Sequence, residues 1–419
     1  MSKTHFNYID GQLCAEGVPL HEIANEYGTP CYIYSRAAFE QQWQSLDTAF
    51  GAHPHTICYA VKANSNLAVL NLLARLGSGF DIVSEGELRR VIKAGGDPKK
   101  TVFSGVAKSR KEIEFAISHD IRSINIESIA ELHRVQDVAQ SINKVAPISL
   151  RVNPDVDPQT HPYISTGLEE AKFGINMKAA VETYMLANEM PNIAVHGVAC
   201  HIGSQIITTD PFKDAVNKVL DLVKELKANG IELQQLDLGG GLGIGYQNET
   251  PPSAAQWVTT MIDCLNEQQI DLPISIEPGR YIAGNSGVLL TRVEYLKSSP
   301  SKNFVIVDAG MHNLLRPSLY QAFHQILTVD ENPANETETY DVVGPICESS
   351  DVLGHERTLS VAQNDHLAVM SAGAYGFVMA SNYNSWPRPA EVMVDKDNVH
   401  TVRQRESHDA LTQGEKILP

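Results

Sequence analysis

Cysteine is scarce and scattered: six residues in 419 (Cys14, Cys31, Cys58, Cys200, Cys264 and Cys347), with no CxxC pair among them. That spacing argues against a thiolate metal site or a dithiol redox centre. No apolar run approaches the ~20 residues a membrane-spanning helix needs. The opening residues Met1-Ser-Lys-Thr-His-Phe6 lack the charged-then-apolar order of a secretory signal. The expectation is a cytoplasmic protein with reduced thiols. Positive charge is also in short supply. Lys and Arg number 33 against 50 Asp and Glu, for a net charge of −17, which argues against nucleic acid or an anionic membrane as the main partner. Internal repeats and low-complexity tracts are missing too. What remains is ordinary globular composition, 43% hydrophobic and 20% charged, in a chain too long for one core.

A rhythm runs from about residue 56 to 280. Short apolar strand candidates fall at 57–61, 80–83, 101–104, 122–126, 147–152, 194–200, 233–238 and 273–277. Amphipathic helical stretches lie between them, at 84–93, 109–118, 128–140, 178–189, 211–228 and 254–268. Eight such alternations predict a parallel (β/α)8 TIM-type barrel, with an open doubly wound sheet as the alternative. After about 285 the pattern becomes strand and turn, with one helical patch at 317–326, which predicts an all-β sandwich or barrel domain. The N-terminal segment is too short for its own core. Its pieces, around the Asp10-Gly11 turn and at 30–34, are expected to join the β domain. The expected division is therefore 1–34 with the β domain, 35–283 as the barrel and 284–419 as the β domain proper. The aperiodic connection 153–174 is expected to be a lid.

A barrel places its chemistry at the C-terminal ends of its strands. The residues there are Lys62, Asp81, Ser104, Arg151 with Asn153, His201, Asp237 and Glu277. Lys62 follows the apolar run Ile57-Cys-Tyr-Ala-Val61, so it either snorkels out of the core or is placed for chemistry. A desolvated lysine loses its proton readily, and the neutral amine attacks an aldehyde to form a Schiff base. Asp237-Leu-Gly-Gly-Gly-Leu-Gly243 and Glu277-Pro-Gly-Arg280 follow the seventh and eighth strands, the recurrent phosphate-binding place of this barrel. A Schiff-base lysine beside a phosphate nest points to pyridoxal phosphate. Glu277 is then the candidate for the cofactor's ring nitrogen, or else a structural partner of Arg280. His201 is a candidate to pack on the ring face, or else a core histidine. Asp81 is a candidate to orient Lys62 or the ring.

In the β domain, Gly344-Pro-Ile-Cys347-Glu348-Ser-Ser-Asp351 sets a thiol among acids, a setting suited to a proton donor. Ser371-Ala-Gly-Ala-Tyr375-Gly376 is a small-residue turn with an aromatic hydroxyl. Arg316 and Tyr320 stand one helical turn apart, and an arginine grips a carboxylate with two parallel hydrogen bonds.

Together these stretches resemble the group IV decarboxylases, the fold-type III pyridoxal-phosphate enzymes. The matching segments are Tyr59-Ala-Val-Lys-Ala-Asn64, Phe80-Asp-Ile-Val-Ser-Glu-Gly-Glu87, His201-Ile-Gly-Ser204-Gln205, Asp237-Leu-Gly-Gly-Gly241, Glu277-Pro-Gly-Arg280, Arg316-Pro-Ser-Leu-Tyr320, Gly344-Pro-Ile-Cys-Glu-Ser349 and Gly373-Ala-Tyr-Gly-Phe377. They span most of the chain, in family order. The resemblance implies that Lys62 bonds the cofactor aldehyde, His201 stacks on its ring, and Ser204, Gly240, Gly241, Glu277, Pro278, Gly279, Arg280 and Tyr375 hold its phosphate or ring nitrogen. It implies that Arg280, Arg316, Tyr320 and Tyr375 contact the substrate. Cys347 as proton donor and Glu348 as partner of a distal ammonium would come from the other subunit of a homodimer. The implied reaction is decarboxylation of meso-diaminopimelate to lysine, with ornithine, arginine or a carboxylated polyamine as alternative substrates and a non-catalytic cofactor-binding relative as the remaining reading.

Overall fold

Eight parallel strands of mostly buried residues close into a barrel: His55–Ala60, Gly79–Ile82, Thr101–Phe103, Ser123–Ile126, Ala146–Asn153, Ile193–Ala199, Gln235–Asp237 and Ile274–Ile276. They are referred to below as barrel strands 1 to 8. The last strand pairs with the first, Ile276 opposite Ile57, and strand 4 pairs with strand 5, Ile124 opposite Ile148, so no edge is left open. The computed structural model describes residues 5–157, 172–331 and 336–419. One unit of the chain comprises residues 42–245 and 249–282, and contains the barrel; the other comprises residues up to 41, 246–248 and 283–419.

The limits of the eight strands lie within two residues of those read from periodicity. The open-sheet alternative is excluded by the closing pair. Each of the first seven strands is followed by a helix: Leu67–Arg75, Glu85–Lys93, Arg110–Ser118, Ile129–Ser141, Met177–Asn188, Asp210–Ala228 and Ala254–Glu267. Six of these helices are capped by a side chain, of Asn66, Ser84, Ser109, Ser128, Asn176 or Ser253, that accepts a backbone N–H of the first turn. Such caps satisfy amides that would otherwise be left over where the chain turns from strand to helix. Because the strand C-termini and helix N-termini share one end of the barrel, the caps stiffen the end that carries the polar residues. Lys62 does not close strand 1; it sits in the 3-10 turn Val61–Ala63 just beyond it. The expected lid falls largely on 158–171, outside the described residues.

The second unit is built on a mixed sheet whose centre comes from both ends of the chain. Cys31–Ser35, buried throughout, lies between Gly287–Ser298, to which it is antiparallel, and Ala390–Asp395, to which it is parallel. Beyond these run Asn303–Val307, Glu338–Val343 and Val352–Leu359 on one side and Asn398–Arg403 on the other. A hairpin of Phe6–Ile9 and Gln12–Ala15 turns at Asp10 and Gly11, both at positive φ as its two-residue turn requires. One core holds Leu13, Leu20, Ile23 and Ile33 against Val288, Leu290, Val329, Val392 and Val394. The expected helical patch at 317–326 is shorter, Arg316–Tyr320, because the chain leaves the helix at Gln321 with φ 52° and runs into the strand Ile326–Thr328. That strand and Val352–Leu359 carry no alternation strong enough to be read from sequence.

Ile33 is fully buried between two strands from the far end of the chain. Ile33→Ala is expected to lower stability by about 2–5 kcal/mol. Urea denaturation read by circular dichroism checks this; a change below measurement error would mean the N-terminal strand is not integral to that core.

Candidate active site

The polar residues at the strand ends converge as the barrel reading requires. Lys62 Nζ pairs with the carboxylate of Asp81 at the end of strand 2, and Asp81 is fully buried. Glu277, at the end of strand 8, is also buried. Its Oε1 faces Ser104 Oγ at 3.5 Å and Asn125 Nδ2 at 3.4 Å, both long, and Asn125 Nδ2 also donates to Ser104 Oγ at 3.0 Å. Asp237, at the end of strand 7, accepts the Gly239 amide at 3.0 Å. Three carboxylates thus share one dry end of the barrel.

Their proton affinities follow. Burial, followed by the charges of Asp237 and Asp81, holds Glu277 well above the usual carboxylate range, although Lys62 and Arg151 pull the other way. Burial pushes Asp237 up to about 6. Glu87, whose side chain accepts the Val83 amide at 2.7 Å, is pushed up to about 7 by burial as well. His201 is driven the other way, well below its ordinary value, by burial and by the positive charges of Arg151 and Lys62. It is neutral. The Gly240 amide donates to its Nδ1 at 3.2 Å, so the ring proton stands on Nε2.

The glycine run has a steric reason that its sequence does not state. A Cβ on Gly239 would stand 2.3 Å from the Cys200 carbonyl, one on Gly240 2.2 Å from the Glu277 carbonyl, and one on Gly241 2.6 Å from the Gly203 carbonyl. Gly239 and Gly241 also take φ +67° and +112°. The chain leaving strand 7 is threaded between the chains leaving strands 6 and 8. Further bonds complete the weave: Glu277 N–H to Gly239 at 2.8 Å, Ala60 N–H to Pro278 at 3.1 Å, and Ile206 N–H to Gly241 at 2.9 Å. Arg280 is buried and brings Nε and Nη2 to Ser204 Oγ at 3.3 and 3.1 Å.

This donor set fits pyridoxal phosphate: an amine for the aldehyde, a buried carboxylate avid for a proton to face a ring N–H, and a close-packed glycine turn for the phosphate. Asp81 Oδ1 and Asn125 Oδ1 are buried acceptors without a donor among the described residues, as polar atoms flanking a bound polar group would be.

The barrel unit thus brings together Lys62, Asp81, His201, Ser204, Gly240, Gly241, Glu277, Pro278, Gly279 and Arg280. Arg316, Tyr320, Cys347, Glu348 and Tyr375 belong to the β unit. There, Arg316 is buried, while Cys347 and Glu348 are exposed. Tyr383 donates its hydroxyl to Glu348, and the Cys347 amide donates to Asn384 Oδ1 at 3.3 Å. Tyr375 takes φ 55°, next to Gly376, where a Cβ would meet the Ala372 carbonyl at 2.4 Å. Asn125 and Glu87 escaped the sequence reading. Asn125 looks like any polar residue interrupting a strand. Glu87 carries a signal, a Ser84-x-x-Glu87 helix start whose acid turns back to the strand end. Also unread was the buried network behind the site, in which Arg151 pairs with Glu127 at 2.8 Å and Lys108 with Glu131 at 2.9 Å.

Gly240→Ala is expected to weaken pyridoxal phosphate binding by about 1–3 kcal/mol, since the added methyl meets a backbone carbonyl that cannot swing aside. A titration followed by cofactor absorbance checks it, and wild-type affinity would refute the cradle. Glu87, Asp237 and Glu277 hold protons in the fold that the unfolded chain releases at lower pH. Their contribution to stability is therefore present below the unfolded values and lost as pH rises through the folded ones. Cofactor-free Glu87→Gln should lose less melting temperature than wild type as pH rises from about 4.5 to about 7. Equal slopes would show that Glu87 is not protonated in the fold.

Residues 36–284 match the pyridoxal binding domain of the pyridoxal-dependent decarboxylases. The chain is 54% identical over 416 residues to the diaminopimelate decarboxylase of Vibrio cholerae, covering 99% of each. It is 44% identical over 410 residues to that of Aquifex aeolicus, covering 98% of this chain and 97% of the relative. The crystal structure of the Helicobacter pylori diaminopimelate decarboxylase complexed with L-lysine matches with a TM-score of 0.91 at 43% identity, covering 94% of this chain and 98% of that one. With its closed barrel, lysine–carboxylate pair and woven glycine turn, the chain belongs to the pyridoxal-phosphate-dependent decarboxylases of fold-type III, within the diaminopimelate decarboxylase family.

Proposed function

We propose that the enzyme removes carbon dioxide from meso-2,6-diaminopimelate to give L-lysine, the closing step of lysine synthesis. The observation that carries this reading is the pairing of Lys62 with buried Asp81 beside buried Glu277, in a chain that matches diaminopimelate decarboxylases from end to end. When bound, pyridoxal phosphate supplies an aldehyde that takes up an amine and a ring that accepts the electron pair left as carbon dioxide departs. Lys62 would hold the aldehyde carbon, with Asp81 fixing the position of its Nζ. Glu277 would hold the ring nitrogen, and its burial keeps the proton between them. His201 presents a neutral, flat ring to the cofactor face. Gly240, Gly241, the turn from Pro278 to Arg280, Ser204 and Tyr375 would hold the phosphate.

The substrate's remaining charges suit the other assigned residues. Arg316, with Tyr320 one turn along and Arg280, takes the distal carboxylate; two parallel N–H donors match its two oxygens. Glu348 takes the distal ammonium. Cys347 supplies the proton that replaces the lost carboxylate: its S–H bond breaks, a C–H bond forms at the α-carbon, and the thiolate regains a proton from water. Cys347 and Glu348 are exposed on the single chain, which supports a head-to-tail homodimer in which they serve the neighbour's Lys62. Six free cysteines, five of them buried, suit the reducing cytoplasm.

Carbon dioxide release should be far greater with meso-diaminopimelate than with L,L-diaminopimelate, ornithine, arginine or lysine; a preference for ornithine would overturn the substrate assignment. Arg316→Ala should weaken meso-diaminopimelate binding by about 2–5 kcal/mol. Lys62→Ala and Cys347→Ala should each be inactive alone. After mixing and re-association they should recover about a quarter of wild-type activity, since half the dimers carry one intact site of two. No recovery would rule out a shared site.

A further inference from the structure

His324 has no part in the roles above, yet both its ring nitrogens are engaged. It is fully buried in the β unit. Arg316 Nη1 lies 2.8 Å from its Nε2, and the Met370 carbonyl lies 2.8 Å from its Nδ1. A carbonyl only accepts, so Nδ1 carries the proton. A guanidinium only donates, so Nε2 carries a lone pair. The surroundings therefore select the neutral Nδ1–H tautomer. The ring is anchored on both sides, because the Met370 amide also donates to the Gln325 carbonyl at 2.8 Å, where His366–Val369 pairs with Ile326–Thr328. Tyr246 covers both partners, edge to face with His324 at 5.3 Å and beneath the Arg316 guanidinium at 4.6 Å.

Arg316 starts a helix of only five residues and carries a long side chain that loses much rotamer freedom when fixed. An imidazole in this tautomer and a phenol ring are both uncharged. They hold the guanidinium in one plane without cancelling its charge. We propose that His324 is a positioning residue for substrate selection: by accepting from Nη1 it aims the rest of the Arg316 fork at the substrate's distal carboxylate. This rests on the role proposed for Arg316, and a two-pronged anion contact tolerates little drift of its donors.

The test is steady-state kinetics of the holoenzyme with meso-diaminopimelate. Asparagine at 324 keeps a donor near Nδ1 but withdraws the acceptor from Arg316, whereas glutamine places an amide oxygen near Nε2. His324→Asn should raise KM about tenfold with kcat little changed, and His324→Gln should restore most of the loss. L-lysine, which keeps the distal carboxylate, should inhibit His324→Asn more weakly in step with KM. In an Arg316→Ala background, His324→Asn should add nothing. If Arg316→Ala raises KM while the Asn and Gln variants behave alike, the positioning role is overturned. If Arg316→Ala itself leaves KM unchanged, the carboxylate assignment fails first.

Discussion

Three carboxylates buried together at one end of a barrel are the constraint on which the rest of the site depends. Each would be strongly disfavoured as an isolated charge in a dry interior. Asp81 is matched by Lys62, Asp237 accepts the Gly239 amide, and Glu277, whose contacts with Ser104 and Asn125 are long, keeps a raised hold on its proton. That residual demand is chemically useful. A carboxylate kept avid for a proton is the right neighbour for a pyridine nitrogen, and in this family the cofactor brings one. The backbone around these carboxylates is set by main-chain packing: the chain leaving strand 7 passes between the Cys200 and Glu277 carbonyls, where a Cβ would clash.

The two units divide the work by physical character. The barrel holds charge out of water at its strand ends, beside the capped helix starts, which suits cofactor chemistry common to many substrates. The β unit carries the residues proposed to meet the substrate: a buried arginine held by a histidine and a tyrosine, and an exposed thiol beside an exposed acid. Buried donors reject substrates lacking the matching acceptor far more strongly than apolar pockets reject a missing methylene.

Much of this was legible in the chain itself. Strand ends are readable because a polar residue after a buried apolar run has to be accounted for, and Lys62, Asp81, Asp237 and Glu277 all stand at such places. Asn125 was not, because its contact with Glu277 spans 152 residues, whereas Glu87 left only the local signal of a helix start. His324 is the clearest instance. Nothing in its local sequence separates it from a core histidine, and its setting arises only when Met370 and Tyr246 arrive from remote segments to join Arg316, eight residues before it.

The sequence by itself determined the barrel rhythm, the separate β-sheet unit, the cofactor and which polar residues stand at the strand ends, because periodicity and residue chemistry are local properties. Only the tertiary structure decided protonation and tautomer: which carboxylate keeps its proton, which nitrogen of His201 carries one, and why Gly240 admits no side chain. Those outcomes depend on burial and on approaches of a few ångströms between remote segments, and one-dimensional order does not encode such distances.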